Sequence, residues 1–394
     1  MKKILLIIFI SFNLTATGQW TALSSGSTEW LWGVAFINAD TGIVVGHNGT
    51  LLRTIDGGIN WTHINIGISE DLLSVCFPSK QIGYIAGTGG VLKTIDGGLN
   101  WLVSLNGGHY HDIFFISDNI GYAVGSMGTI KKTTDGGNNW TDISISSQDM
   151  ISVFFNNPDT GFVVTAGWTD AISKTIDGGI NWTDAHPNTI AEYASIYFTS
   201  NDTGYVSSTG AIDHNILKTT DAGATWTIIY TMPSHGLYSL KFPTSNIGYA
   251  AGGYQNSSII LKTIDAGANW VTQNTNTPEP LFDCYFVTQD LGYAVGMNGA
   301  IIKTTNGGTG VNELSNSILI NVYPNPTSDF LAIEISGQKN QQANVTLSNL
   351  IGQEIINLQI INKGSLDLNR LTTGIYLLTV SVGELTTTRK IIKE

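Results

Sequence analysis

One pattern of apolar and polar positions recurs seven times along the first three quarters of the chain. Each copy centres on a phenylalanine, at Phe36, Phe77, Phe115, Phe155, Phe198, Phe242 and Phe286. Two residues earlier stands Val34, Val75, Ile113, Val153, Ile196, Leu240 or Cys284, the period-two alternation of a half-buried strand. Six residues after each Phe a glycine precedes an aromatic or apolar residue and opens a second strand, from Gly42 in the first copy to Gly292 in the last. A third strand ends at Lys-Thr, and a fourth begins at a tryptophan. A four-stranded unit of this size cannot bury both faces alone, so the pattern predicts an all-β fold with seven units stacked radially as a β-propeller.

Between the third and fourth strands lies the signature KTIDGGINW or a near relative, ending at Trp61, Trp101, Trp140, Trp182, Trp226 and Trp270. Its acidic positions are Asp56, Asp96, Asp135, Asp177, Asp221 and Asp265, with Asn306 in a seventh copy that lacks the tryptophan. A carboxylate at a tight turn accepts backbone N–H bonds, the glycines take positive φ, and the tryptophan covers the turn. These acids are therefore expected as structural turn braces. Trp20-Thr21-Ala22-Leu23 resembles the piece missing from copy seven, which predicts that the ring closes through this segment and leaves no open edge. Arg53, Lys93, Lys132, Lys174, Lys218, Lys262 and Lys303 precede the signature threonine and are expected to pack their stems on the sheet.

Composition narrows the setting. The 45 glycines and 12% charged residues suit short strands and tight turns rather than helices. Met1-Lys2-Lys3, a short apolar stretch and small residues at Ala16 and Gly18 predict a secretory signal peptide over 1–18, too short for a membrane anchor, and no later stretch is long enough to span. The expected order is then a propeller over 19–308, a linker over 309–317 and a second β-domain over 318–394. Cys76 and Cys284 fall in copies that are not ring neighbours, so both are expected as buried free thiols. From Gln19 to Glu313 there are 24 acidic and 10 basic residues, which disfavours nucleic acid and anionic membrane surfaces as partners. A monomer without cofactor or metal is expected.

The Thr-x-Asp-x-Gly-x-x-Trp signature is the Asp-box, and with the Gly-Tyr-Ala-Val-Gly strand it resembles the repeat of the photosystem II assembly and stability factor family. Sialidases share the box, but they hold a carboxylate with an arginine cluster, and this propeller has Arg53 alone. Serine-triad and His-Glu-x-x-His signals are absent, and His109 and His111 beside Asp112 lack a complete metal ligand set. Residues that do not repeat gather in loops opposite the Asp-box turns. Trp32, His109, Tyr110, His111, Trp168, His235, Tyr238 and Tyr254 are the candidate ligand residues there, suited to a glycan or a protein. Loop acids such as Glu29, Glu70, Glu192 and Glu279 leave a carbohydrate-active hydrolase as the alternative, and an assembly factor for a surface complex as another.

The last 75 or so residues alternate apolar and polar positions around turns at Asn325-Pro326, Gly352 and Gly374, which predicts a small, immunoglobulin-like β-sandwich. Tyr323-Pro324-Asn325-Pro326, Asn349 to Gly352, the Leu368 to Tyr376 stretch and Arg389-Lys390 resemble the type A sorting domain of the Bacteroidetes type IX secretion system. That resemblance implies the secretion machinery as a partner and a secreted or surface-attached destination.

Overall fold

The computed structural model describes residues 20–145, 148–166, 172–185, 192–209, 214–232, 234–308, 319–336, 342–349, 352–382 and 385–394; the expected signal segment, the linker and Trp168 lie outside them. The chain divides into two compact units, one ending at Gly308 and the other beginning at Thr309.

In the first unit the repeats form seven four-stranded antiparallel sheets. Their inner strands are Leu31–Phe36, Leu72–Cys76, Tyr110–Phe115, Asp149–Phe155, Tyr193–Phe198, Gly236–Lys241 and Leu281–Phe286, and we number the blades 1 to 7 in that order. Successive inner strands lie against one another, and that of blade 7 lies against that of blade 1. Each repeated residue has a task at the junction between blades. The phenylalanine ring covers the glycine six residues on so closely that a Cβ on Gly42 would stand 2.6 Å from Phe36. Its other face meets the second-strand residue of the preceding blade, a tyrosine at five junctions, stacked at 3.7 Å for Phe115 on Tyr84 and for Phe155 on Tyr122. The signature tryptophan of the same blade then meets the phenylalanine edge-on, as Trp140 does at 6.0 Å from Phe115.

The basic position is consumed by the same junction. Lys93 Nζ and the Tyr84 hydroxyl both donate to the Gly136 carbonyl in the next blade's Asp-box turn, at 2.6 and 2.8 Å. Lys132 with Tyr122 on Gly178, and Lys303 with Tyr293 on Gly57, repeat the arrangement. Within the turn, Thr54 Oγ1 donates to Asp56 Oδ1 and accepts from the Gly58 N–H, while both carboxylate oxygens take bonds from Asn60. Bonds from the backbone and side chain of the residue four positions on hold the carboxyls of Asp56, Asp96, Asp135 and Asp221 down to about 2. A carboxylate with a depressed folded-state pKa stabilises the fold above its unfolded value near 4 and loses that contribution as pH falls through the folded value. The melting temperature should therefore hold between pH 7 and 5 and drop between about pH 4 and pH 2. Circular-dichroism melts across that range check it, and a melt unchanged down to pH 2 would refute the linkage.

Blade 7 takes its fourth strand from the start of the propeller. Thr21–Leu23 pairs with Ile301–Thr304, Thr21 opposite Lys303, and Asn276 Nδ2 donates to the Trp20 carbonyl at 2.7 Å. Trp20 is 0% exposed and stands edge-on to Phe286 at 5.9 Å, the relation that Trp140 has to Phe115. Both cysteines are free; Cys284 is buried, and Cys76 is half-buried, packed against the core between blades 2 and 3 where that core borders the central channel.

The second unit is one antiparallel sheet of seven strands bent over a single core. Leu319–Tyr323, Phe330–Ser336 and Lys363–Asp367 make one half, and Glu354–Ile361, Gln342–Ser348, Gly374–Val382 and Leu385–Lys393 the other. The halves join through one pair, Ile361 with Lys363, and their apolar sides share Leu331, Ile333, Val345, Leu378 and Val380. Asn325 clips the last strand: its side chain donates to the Lys390 carbonyl and accepts from the Ile392 N–H, at 2.8 and 2.9 Å.

Candidate functional site

The seven inner strands carry the same irregularity. In blade 1 Leu31 pairs with Gly46 and Gly33 with Val45, so Trp32 between them has no partner. Leu73, His111, Ile151, Ala194, Tyr238 and Phe282 are the unpaired residues of blades 2 to 7. A β-bulge of this kind turns two consecutive side chains toward one face. Here that face is the central channel, a cavity of about 690 Å³ lined by all seven bulge residues. The bulge also turns the preceding residue inward: Tyr110 is 2% exposed, packed in the core between blades, and corrects its reading as a ligand residue.

Below the bulge ring runs a polar ring of Gly33, Ser74, Asp112, Ser152, Ser195, Ser239 and Asp283. The side chains at these positions, Gly33 having none, sew neighbouring blades together. The Val153 N–H donates to Asp112, the Ile196 N–H to Ser152, the Leu240 N–H to Ser195, the Cys284 N–H to Ser239 and the Val34 N–H to Asp283. Asp112 also accepts from the hydroxyls of Ser74 and Ser152, at 2.8 and 3.1 Å, and from its own blade's Ile113 N–H. Deeper still, Lys241 lies 4.0 Å from Asp283, with 36% of its side chain accessible to the channel. Burial acts to lower the Lys241 pKa, but the charges of Asp283, Cys284 and Asp112 outweigh it and hold the ammonium above its ordinary value. Both channel carboxylates thus accept backbone bonds from a neighbouring blade, and burial raises the Asp283 carboxyl against the pull of Lys241.

At the mouth the bulge residues divide by chemistry. Blades 6, 7 and 1 present an aromatic arc in which Phe282 stacks on Trp32 at 4.2 Å and meets Tyr238 edge-on at 5.3 Å. Trp30, 37% exposed, extends it, 5.7 Å from Trp32 and stacked under His47 at 5.6 Å. His47 Nε2 in turn lies 3.1 Å from Asp71 Oδ2. Blades 4 and 5 face this arc with the smaller Ile151 and Ala194. His111 and His109 sit together at 4.6 Å, and burial with the neighbouring His109 lowers the His111 pKa against the pull of Asp149 and Asp112. Burial, with Glu192 and Tyr254 nearby, raises the Tyr238 phenol.

Of the candidate residues, Trp32, His111 and Tyr238 occupy equivalent bulge positions, and His109 adjoins His111. His235 bridges Ser234 and Ser257 instead of joining the ring, and Tyr254 is 59% exposed in the hairpin between the second and third strands of blade 6. Phe282 and Trp30 complete the arc. A signal for the bulge stands in the sequence: the closing glycine of the second strand, such as Gly46, lies where the Trp30 carbonyl approaches and leaves no space for a Cβ.

Residues 321–394 match the family described as secretion system C-terminal sorting domain, and residues 12–107 the one described as photosynthesis system II assembly factor YCF48. Photosystem II assembly lipoprotein Ycf48 of Trichormus variabilis is 35% identical over 134 residues, and that of a Nostoc species 37% over 134. The matched stretch spans 32% of this chain and 40% of each of those relatives. A solved structure titled YCF48 bound to D1 peptide superposes with a TM-score of 0.62 at 22% identity, over 74% of this chain and 98% of that one. PorZ, titled an essential surface component of the type IX secretion system of Porphyromonas gingivalis, gives 0.56 at 12% identity, over 90% and 58%. The sorting domain marks a secreted or cell-surface protein, and no helix among the described residues is long and apolar enough to cross a membrane. The chain is thus an all-β protein that joins a Ycf48-like propeller to a secretion-system C-terminal sorting domain.

Proposed function

We propose that the protein is a non-catalytic binding propeller, delivered to the cell exterior by its sorting domain, that recognises a protein partner at the channel mouth. The bulge ring carries this reading. It aims non-repeated side chains into one opening, while the repeated residues are occupied with holding blades together. A rigid scaffold presenting variable residues is how propellers bind without chemistry. The Ycf48 structure, whose title names a bound peptide, favours a polypeptide over a glycan, and the PorZ title favours a role in a surface complex. Binding of the full chain to arrays of peptides and glycans tests the proposal. Trp32→Ala and Tyr238→Ala together should lower the best affinity by about tenfold or more, since central aromatic anchors typically carry over 1 kcal/mol each. Undiminished binding by a folded double variant would refute the site.

A further inference from the structure

Charge on the mouth side is one-signed. Glu29, Glu70, Asp71, Asp149, Glu192 and Glu279 all lie at or just before the start of an inner strand. None of the propeller's ten lysines and arginines lies in those segments. Seven end the third strands at the opposite face, Lys80 sits in a turn on that same face, Lys131 pairs with Asp142 on the blade side, and Lys241 lies deep in the channel. The partners of the mouth carboxylates spread their charge but do not cancel it: Asn48 donates to Glu29, Asn298 to Glu279, and the Met127 N–H to Asp149.

These acids also flank the aromatic arc. Asp71 holds His47 flat over Trp30, and the carbonyl of Glu192, just before the inner strand of blade 5, accepts the N–H of Thr209, which lies with Tyr238 around Gly236 in blade 6. A planar nitrogen group stacked on an indole and tied to a carboxylate is the arrangement that an arginine side chain adopts on an aromatic face. Acidic rims around half-exposed aromatic rings repel anions and gather cations, and low-dielectric channel walls sharpen that field.

Resting on the mouth as the binding site, we infer that its occupant is a cationic polypeptide segment, with an arginine or lysine side chain over the Trp30, Trp32, Phe282 and Tyr238 arc. His47 with Asp71 occupies one such position from within, and Glu192 with Tyr238 offers the next.

The test titrates the full chain by calorimetry with synthetic nonapeptides that differ at one central residue: arginine, citrulline, glutamate or norleucine. The arginine peptide should bind at least tenfold more tightly than the citrulline peptide, which keeps the shape and loses the charge. Its affinity should fall several-fold between 50 and 500 mM salt, and Glu192→Gln should weaken it. Trp32→Ala with Tyr238→Ala leaves net charge unchanged, so binding that survives this pair would reflect diffuse attraction and overturn the inference. Equal binding of arginine and citrulline peptides, tighter binding of the glutamate peptide, or no binding of the arginine peptide would also overturn it. Capture of neutral peptides or glycans that is lost in the same double variant would sink the cationic occupant alone and leave the mouth standing.

Discussion

Replacing Trp20 with alanine should lower the melting temperature by about 10 °C, more than the same change at any internal signature tryptophan. Trp20 is wholly buried, between Tyr249 and Phe286, and truncating a buried tryptophan costs about 3–5 kcal/mol. For a domain of this size each kcal/mol shifts the midpoint by about 2–4 °C. Position adds to the cost. Blades 1 to 6 each take four consecutive strands, whereas blade 7 is completed by Thr21–Leu23, which bring the start of the propeller to its end. Loosening them frees the Ile301–Thr304 edge and the ring with it. Trp226→Ala, in a blade whose outer strand Thr227–Met232 is longer and follows its neighbour directly, serves as the control and should cost less. Equal losses in the two variants would show that closure adds nothing to local packing.

The propeller was legible because its determinants recur. A phenylalanine six residues before a glycine is the trace of one ring packed on one backbone, and seven repetitions reveal a contact that one would hide. The basic position was legible as structural, but the acceptor it shares with the second-strand tyrosine was not, since it lies in the next copy along the chain. The bulge was harder to see. Strict alternation across Leu31 to Phe36 places Trp32, Val34 and Phe36 on one face, whereas the extra residue turns Trp32 to the channel and leaves Val34 and Phe36 in the core. The same slip explains Tyr110, which looks like a loop aromatic beside two histidines yet stands one residue before the bulge, on the buried side. Phe282 is hidden for the opposite reason: an apolar residue within an apolar strand gives no hint that it lines an opening. The polar ring is quiet as well, because serine, aspartate and glycine share its seven positions, and only their common offset of three from each phenylalanine unites them.

That ring yields the second large effect. Asp112→Ala should destabilise the propeller by about 3 kcal/mol and Asp112→Asn by less. Four donors converge on the Asp112 carboxylate: the hydroxyls of Ser74 and Ser152 and the N–H groups of Ile113 and Val153. Removing the acceptor leaves groups of three blades without a partner, and each orphaned buried donor costs about 1–3 kcal/mol. The channel offers water to some of them, which keeps the total well below the sum. Asparagine restores an acceptor oxygen but turns an NH2 toward donors, so it recovers only part. A double-mutant cycle with Ser152→Ala separates a sewn junction from simple loss of a charge. In the wild-type background Ser152→Ala removes a hydroxyl that donates to Asp112 and accepts from Ile196. In the Asp112→Ala background only the second bond remains to be lost, so the two changes should fall short of additivity by about 1 kcal/mol. Additive losses in urea-unfolding midpoints would mean that the ring is a set of independent contacts and that blade order is held by the phenylalanine stacks alone.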